Sequence, residues 1–294
     1  MAAPALHRIE SEGLAAEISE AGAELVRLVD HAGADWLWNG DPAFWSGRAP
    51  LLFPIVGTLA GGRFHSGGRA YTLPRHGFAR HSRFVCTEAA GDRLTLSLVP
   101  DAAIRENWPF DFRLDMRFSI AGPTLSVVAE VTNSGSDRLP VSFGFHPAFR
   151  WPLPGEADRS SHEIAFDQDE PASVRRLDRD GLVDPATRPT PILGRRLPLD
   201  DGLFLDDALI LDRPASRRVT FRGRHSAVRV DFPDMPHLAF WTKPGARFLC
   251  VEPWHGHSDP AGFDGSIEEK PGTILIEPGK RHEFAMQITI GQAG

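Results

Sequence analysis

The chain has 294 residues, 41% of them hydrophobic and 24% charged, which is enough apolar side chain for a substantial core and unlike a disordered chain. Asp and Glu number 39 against 32 Lys and Arg, so the formal charge of -7 gives no general attraction to DNA or RNA. Two cysteines, Cys86 and Cys250, exclude a disulfide scaffold and a four-cysteine metal site, and leave one disulfide open.

In chain order, MAAPALHRIE has no apolar run behind a basic segment, and later apolar stretches are broken before membrane-spanning length. The expectation is a soluble, cytoplasmic protein with no membrane partner. Residues Leu6 to Leu28 are the longest helix candidate, rich in Ala and Glu, yet Gly13 and Gly22 favour two strands turning around Glu20 to Ala23. Gly61, Gly62, Gly67 and Gly68 suit a hairpin-rich loop, since neither GxGxxG nor GxxxxGK[ST] occurs. RLTLSLV from Arg93 alternates polar and apolar residues, as does FRLDMRFSI from Phe112. The turn-like AGP at Ala121 to Pro123 then leads into LSVVAEVTN, predicting an antiparallel pair.

Polar, breaker-rich stretches at Glu156 to Ser161 and Asp178 to Thr190 read as surface loops. RVTFRG from Arg218 and HSAVRVDFP from His225 form another predicted pair, reversing near Gly223. Glu277 in LIEPGKR reads as part of a turn, and FAMQITI from Phe284 closes a sheet. The 28 Gly and 25 Pro punctuate the whole length, with no fixed-period repeat and no composition boundary. The expected fold is all-β, one large antiparallel β-sandwich domain over residues 1–294, monomer or homodimer.

Among 12 histidines, His7, His31, His65, His225 and His282 lie in polar contexts and read as solvated. His76 is different, because Pro74 and Gly77 restrain it in LPRHGFARH. His146 ends the apolar run VSFGFHPAF, and Glu252 stands in FLCVEPWHG, again directly after a strand and before a proline. A carboxylate buried there unpaired costs several kcal/mol, and an imidazole there needs a hydrogen-bond partner. If the fold brings their strands together, Glu252 and His146 make an acid/base pair. Otherwise each is a satisfied polar group of the core.

The rival use is a metal centre from His255 and His257 with Asp259 nearby, although no HExxH is present. Seven tryptophans supply core, and two or three of them a platform for the apolar face of a sugar, Trp254 among the candidates. Arg48, Arg75, Arg80 and Asp207 are candidates for hydrogen bonds to hydroxyls. Glycoside hydrolysis ranks lower, because it calls for two facing carboxylates and only Glu252 is placed.

Five blocks in order, RAPLLFPIVG from Arg48, LPRHGFAR from Leu73, FGFHPAF from Phe143, LFLDDAL from Leu203 and CVEPWHG from Cys250, resemble the aldose 1-epimerase (galactose mutarotase-like) superfamily, in its divergent bacterial branch. The resemblance implies a galactose mutarotase-like supersandwich with an open cleft for a free aldose and no cofactor or metal. Carried over, Glu252 takes the anomeric proton, His146 protonates the ring oxygen and His76 is the second histidine. Asp207 and Arg48 would bind hydroxyls, with Asp206 competing for the Asp207 place.

Two blocks depart from the galactose-directed pattern. TLAGGRF after Gly57 has no Asn-Arg pair, Arg63 being the only nearby substitute, and Gly-Phe-His-Pro-Ala-Phe replaces Asn-His-Ser-Tyr-Phe. The resemblance therefore leaves the sugar open. A hexose-phosphate branch shares an HGFAR-like block, in which Arg75 and Arg80 would face a phosphate. A carbohydrate-binding protein without catalysis is the further alternative.

Overall fold

The computed structural model describes residues 3–293. Its largest element grows from the alternating segments. Phe112–Ala121 and Thr124–Asn133 are joined by a turn at Gly122 and pair in register from Thr124↔Ala121 to Asn133↔Phe112. Every second residue of the first strand turns inward, Phe112, Leu114, Met116, Phe118 and Ile120, as period-two patterning demands.

Arg281–Gln292 continues the pattern with Phe284, Met286, Ile288 and Ile290. The complete nine-stranded antiparallel sheet runs Arg196–Pro198, Glu163–Phe166, Arg218–Arg222, Ser226–Asp231, Arg281–Gln292, Thr124–Asn133, Phe112–Ala121, Arg93–Leu98, Val85–Ala89.

A second antiparallel sheet packs on it. Its order is Leu209–Leu211, His237–Trp241, Phe248–His255, Phe143–Phe145, Leu51–Leu52, and Ala148–Arg150 also pairs with Phe248–His255. Phe143 of this sheet stacks on Phe284 of the larger one, with ring centroids 5.1 Å apart. One continuous core lies between the two layers. The strand Phe248–His255 is buried on both faces. Leu249 and Val251 enter the core, while Phe248, Cys250, Glu252 and Trp254 point to the opposite face.

Residues Leu6–Glu10, Leu14–Ser19 and Leu25–Asp30 form a separate three-stranded sheet, so the helix candidate is resolved as strands. Gly67 and Gly68, both at positive φ, turn the hairpin Arg63–Ser66 and Arg69–Thr72. The stretches 156–161 and 178–190 carry no strand, and Glu277 precedes the last strand in a turn.

One α-helix, Ala102–Asn107, was not expected from the sequence. Asp101 caps it by accepting from the Ile104 N–H at 2.8 Å. Both cysteines are free thiols. Among the described residues no helix is long and apolar enough to cross a membrane.

Candidate active site

Strand register assembles the centre of the site. The pairs Gly144↔Trp254 and Ala148↔Cys250 bracket a break in the neighbouring strand, and that break sets His146 opposite Glu252. His146 Nε2 lies 3.1 Å from Glu252 Oε2. The glutamate is 1% exposed and the histidine 8%. Burial pushes the Glu252 carboxyl well above the usual carboxylate range, and nearby Asp207 acts in the same direction against Arg75 and Arg80. Burial, with the positive charge of Arg80 and Arg75, lowers His146 to about 3. Burial thus works against the charged form of each group.

His76 reaches the same place from a tight turn in which the Gly77 N–H donates to the Pro74 carbonyl at 2.9 Å. Residues 76 and 77 are both left-handed, with φ of 67° and 71°. A Cβ at Gly77 would stand 2.3 Å from the Phe53 carbonyl oxygen, so only glycine fits there.

The His76 ring meets His146 edge-on, centroids 6.0 Å apart. Its Nδ1 faces the Gly57 amide at 3.0 Å and its Nε2 faces Arg75 Nε at 3.2 Å. A neutral ring can accept one of these two N–H groups, and a protonated ring neither. Burial, Arg75, His146 and Arg80 all depress its protonation, so His76 is a neutral residue of the site.

These groups sit at a cavity of about 220 Å³, smaller than the ~300–1,000 Å³ of pockets for drug-sized ligands. Trp45, Trp241 and Trp254 supply aromatic wall, and Arg75, Arg80 and Asp207 the remaining charge. Trp45 lies over His146 with centroids 5.0 Å apart and meets Trp241 edge-on at 5.5 Å. Trp254 sits where Gly144 has no side chain; a Cβ there would be 2.8 Å from the indole Cδ1.

The Asp206/Asp207 choice is resolved by position. Asp207 lines the cavity at φ 64°, its Oδ1 accepting from the Ala208 N–H at 2.7 Å, whereas Asp206 is exposed and faces Arg188 at 3.7 Å. Buried Arg176 donates to the carbonyls of Asp207 and Leu203 at 2.8 and 2.7 Å and so fixes that turn.

The family model described as aldose 1-epimerase matches residues 5–289. The chain belongs to the aldose 1-epimerase family. The chromosomal and plasmid LacX proteins of Lactococcus lactis subsp. lactis are each 33% identical to it over 294 residues, spanning 96% of this chain and 98% of theirs. Among solved structures, a galactose mutarotase related enzyme from Lactobacillus acidophilus is 27% identical with a TM-score of 0.90, covering 97% of each chain. A galactose mutarotase-like protein from Lactobacillus casei ATCC 334 is also 27% identical at TM-score 0.90, covering 97% of this chain and 100% of that one. The fold is thus the mutarotase-like supersandwich.

Of the residues singled out from the family blocks, Glu252, His146, His76, Asp207, Arg80, Arg75 and Trp254 converge on the cavity. Arg48 does not line it. Its guanidinium donates to the carbonyls of Asn39 and Val26 at 3.1 and 3.0 Å, which ties the loop that carries Trp45 to the strand Leu25–Asp30.

Among the described residues His255, His257 and Asp259 do not converge as a group of metal ligands. His255 Nδ1 meets the Gly272 carbonyl, His257 Nδ1 meets the Ser258 carbonyl, and Asp259 pairs with buried Lys270 at 2.8 Å. His282, expected in solvent, is half-buried against Phe284.

Trp241 could have been found by alternation, since His237, Ala239 and Trp241 pair with Trp254, Glu252 and Cys250 and share their face. Trp45 and Arg176 carry no such signal. Their positions come from loops.

Proposed function

We propose that the protein interconverts the anomers of a monosaccharide by opening and closing the pyranose ring. The observation that carries this reading is the 3.1 Å contact of His146 with Glu252 at the cavity. O1 and the ring oxygen of a hemiacetal share one carbon, so the base for one and the acid for the other must stand side by side. The reacting form of the pair is a Glu252 carboxylate beside a His146 imidazolium, and the contact lets one proton pass between the two groups.

Glu252 then takes the O1 proton, the bond from C1 to the ring oxygen breaks, and that oxygen receives the His146 proton. The open aldehyde forms, rotates about C1 to C2, and closes by the reverse transfers. Each proton transfer of this kind contributes roughly 10²–10⁴-fold. All transferred protons move between oxygen and the pair, so the chemistry calls for no hydride carrier or electron sink. Neutral His76 would orient the ring oxygen, Asp207 accept from a hydroxyl, and the tryptophans meet the apolar sugar face.

One observation favours a phosphorylated aldose over a free one. Neither Arg75 nor Arg80 has a carboxylate ion-pair partner among the described residues, and Arg80 is partly desolvated. An anion matches such guanidinium groups.

The test is NMR exchange or polarimetry on a panel of free aldoses and hexose 6-phosphates. Acceleration is expected for at least one sugar, and is lost in Glu252→Gln and His146→Asn. Saturable binding without acceleration would leave a carbohydrate-binding protein. Undiminished rates in both variants would remove the roles assigned to them.

A further inference from the structure

We infer that Cys250, His146 and Glu252 form a binding site for a thiophilic divalent cation such as zinc, opening onto the sugar cavity. Cys250 and Glu252 are two residues apart on one strand and leave the same face, and His146 stands across from them. One ligand atom from each lies within 4.8 Å of the other two, and this is the one group of three such side chains that converges among the described residues. A point no more than about 2.8 Å from all three atoms therefore exists, against Zn–S of about 2.3 Å and Zn–N or Zn–O of about 2.0–2.2 Å. Contraction by at most about 0.5–0.8 Å completes three bonds to zinc.

The donor set selects the metal. A thiolate, an imidazole and a carboxylate suit zinc or cobalt, whereas magnesium and calcium take oxygen ligands. All three residues are buried, yet His146 and Glu252 line the cavity, which leaves the fourth position of a tetrahedral site to water or a small ligand. Binding releases the thiol and carboxyl protons to solvent, and the two resulting negative charges neutralise the dication. Arg75 and Arg80 then face a centre of no net charge.

The same cation would occupy His146 and Glu252 and withhold them from proton transfer. The site itself rests on the placement of three side chains and stands whether or not the chain turns over a sugar.

Cobalt titrated into the full-length protein tests this independently of activity. A thiolate-to-cobalt charge-transfer band that saturates at one equivalent is expected, displaced by zinc, absent from Cys250→Ala and retained in Cys86→Ala. Cys86 is the partly exposed second thiol on the distant strand Val85–Ala89, so it controls for adventitious binding. If Cys250→Ala does not fold, the wild type and Cys86→Ala still decide the matter. No saturable band, a band that survives Cys250→Ala, or one that vanishes in Cys86→Ala would each overturn the assignment.

Discussion

His76 Nδ1 faces the backbone N–H of Gly57 at 3.0 Å while the residue itself holds a φ of 67°. Left-handed backbone costs a residue with a Cβ about 1–2 kcal/mol, least for Asn and most for β-branched side chains. His76→Asn keeps the conformation tolerable and offers an acceptor, whereas His76→Val does neither. Urea unfolding is expected to show His76→Val less stable than His76→Asn by at least about 1 kcal/mol, with anomer exchange impaired in both. Equal stabilities would mean that the turn does not hold His76 in this way.

Glu252 gives up stability for its position. Its folded-state pKa lies above the unfolded value, so its contribution is full below the ordinary carboxylate pKa and is lost as pH rises through the folded one. Glu252→Gln removes the buried ionisable group at nearly constant shape. The variant is expected to gain more stability over wild type at pH 8 than at pH 4, while exchange collapses. A stability change of the same size at both pH values would contradict the burial of an ionisable carboxyl.

Much of the fold was legible because the large sheet obeys one period. Leu114, Met116 and Phe118 pair with Val131, Ala129 and Val127, and each strand declares its inward face in the sequence. The first thirty residues were ambiguous because Ala and Glu suit a helix locally, while Gly13 and Gly22 permit turns that tertiary pairing then uses.

At the site, Glu252, His146 and His76 stood out as polar groups at the ends of apolar or restrained segments. Arg48 stood out equally and belongs to the scaffold, since the sequence does not say which carbonyls a guanidinium will meet. Trp45 and Arg176 act across gaps of 101 and 31 residues, to His146 and Asp207, that no local pattern encodes.

Buried histidines should make the protein acid-sensitive before its carboxylates protonate. His237 is held near 4 by burial, with its Nδ1 on the Asp212 carbonyl at 2.8 Å. Its folded pKa is below the unfolded one, so stability is lost as pH falls from about 6.5 towards 4. His237→Asn keeps a donor near Nδ1 and cannot take up a proton. Between pH 7 and pH 5 it should lose less stability than wild type, by up to about 2 kcal/mol. Identical pH slopes in denaturant titrations would show that His237 titrates alike in both states.

Arg176 should act on the sugar without touching it. Its two nitrogens tie the carbonyls of Leu203 and Asp207, and the turn between them places Asp207 at the cavity with left-handed backbone. Without that fork the turn can relax, and the carboxylate withdraws from a ligand hydroxyl while Glu252 and His146, on different strands, stay where they are. Arg176→Met is therefore expected to raise KM about tenfold, a loss of roughly 1.4 kcal/mol of binding, with kcat within about twofold. Arg176→Lys, which can reach one carbonyl but lacks the fork, should fall between the two. General loosening of the fold would instead lower kcat together with the melting temperature. An unchanged KM in Arg176→Met, measured on protein shown to be folded, would remove Asp207 from the set of groups that hold the sugar.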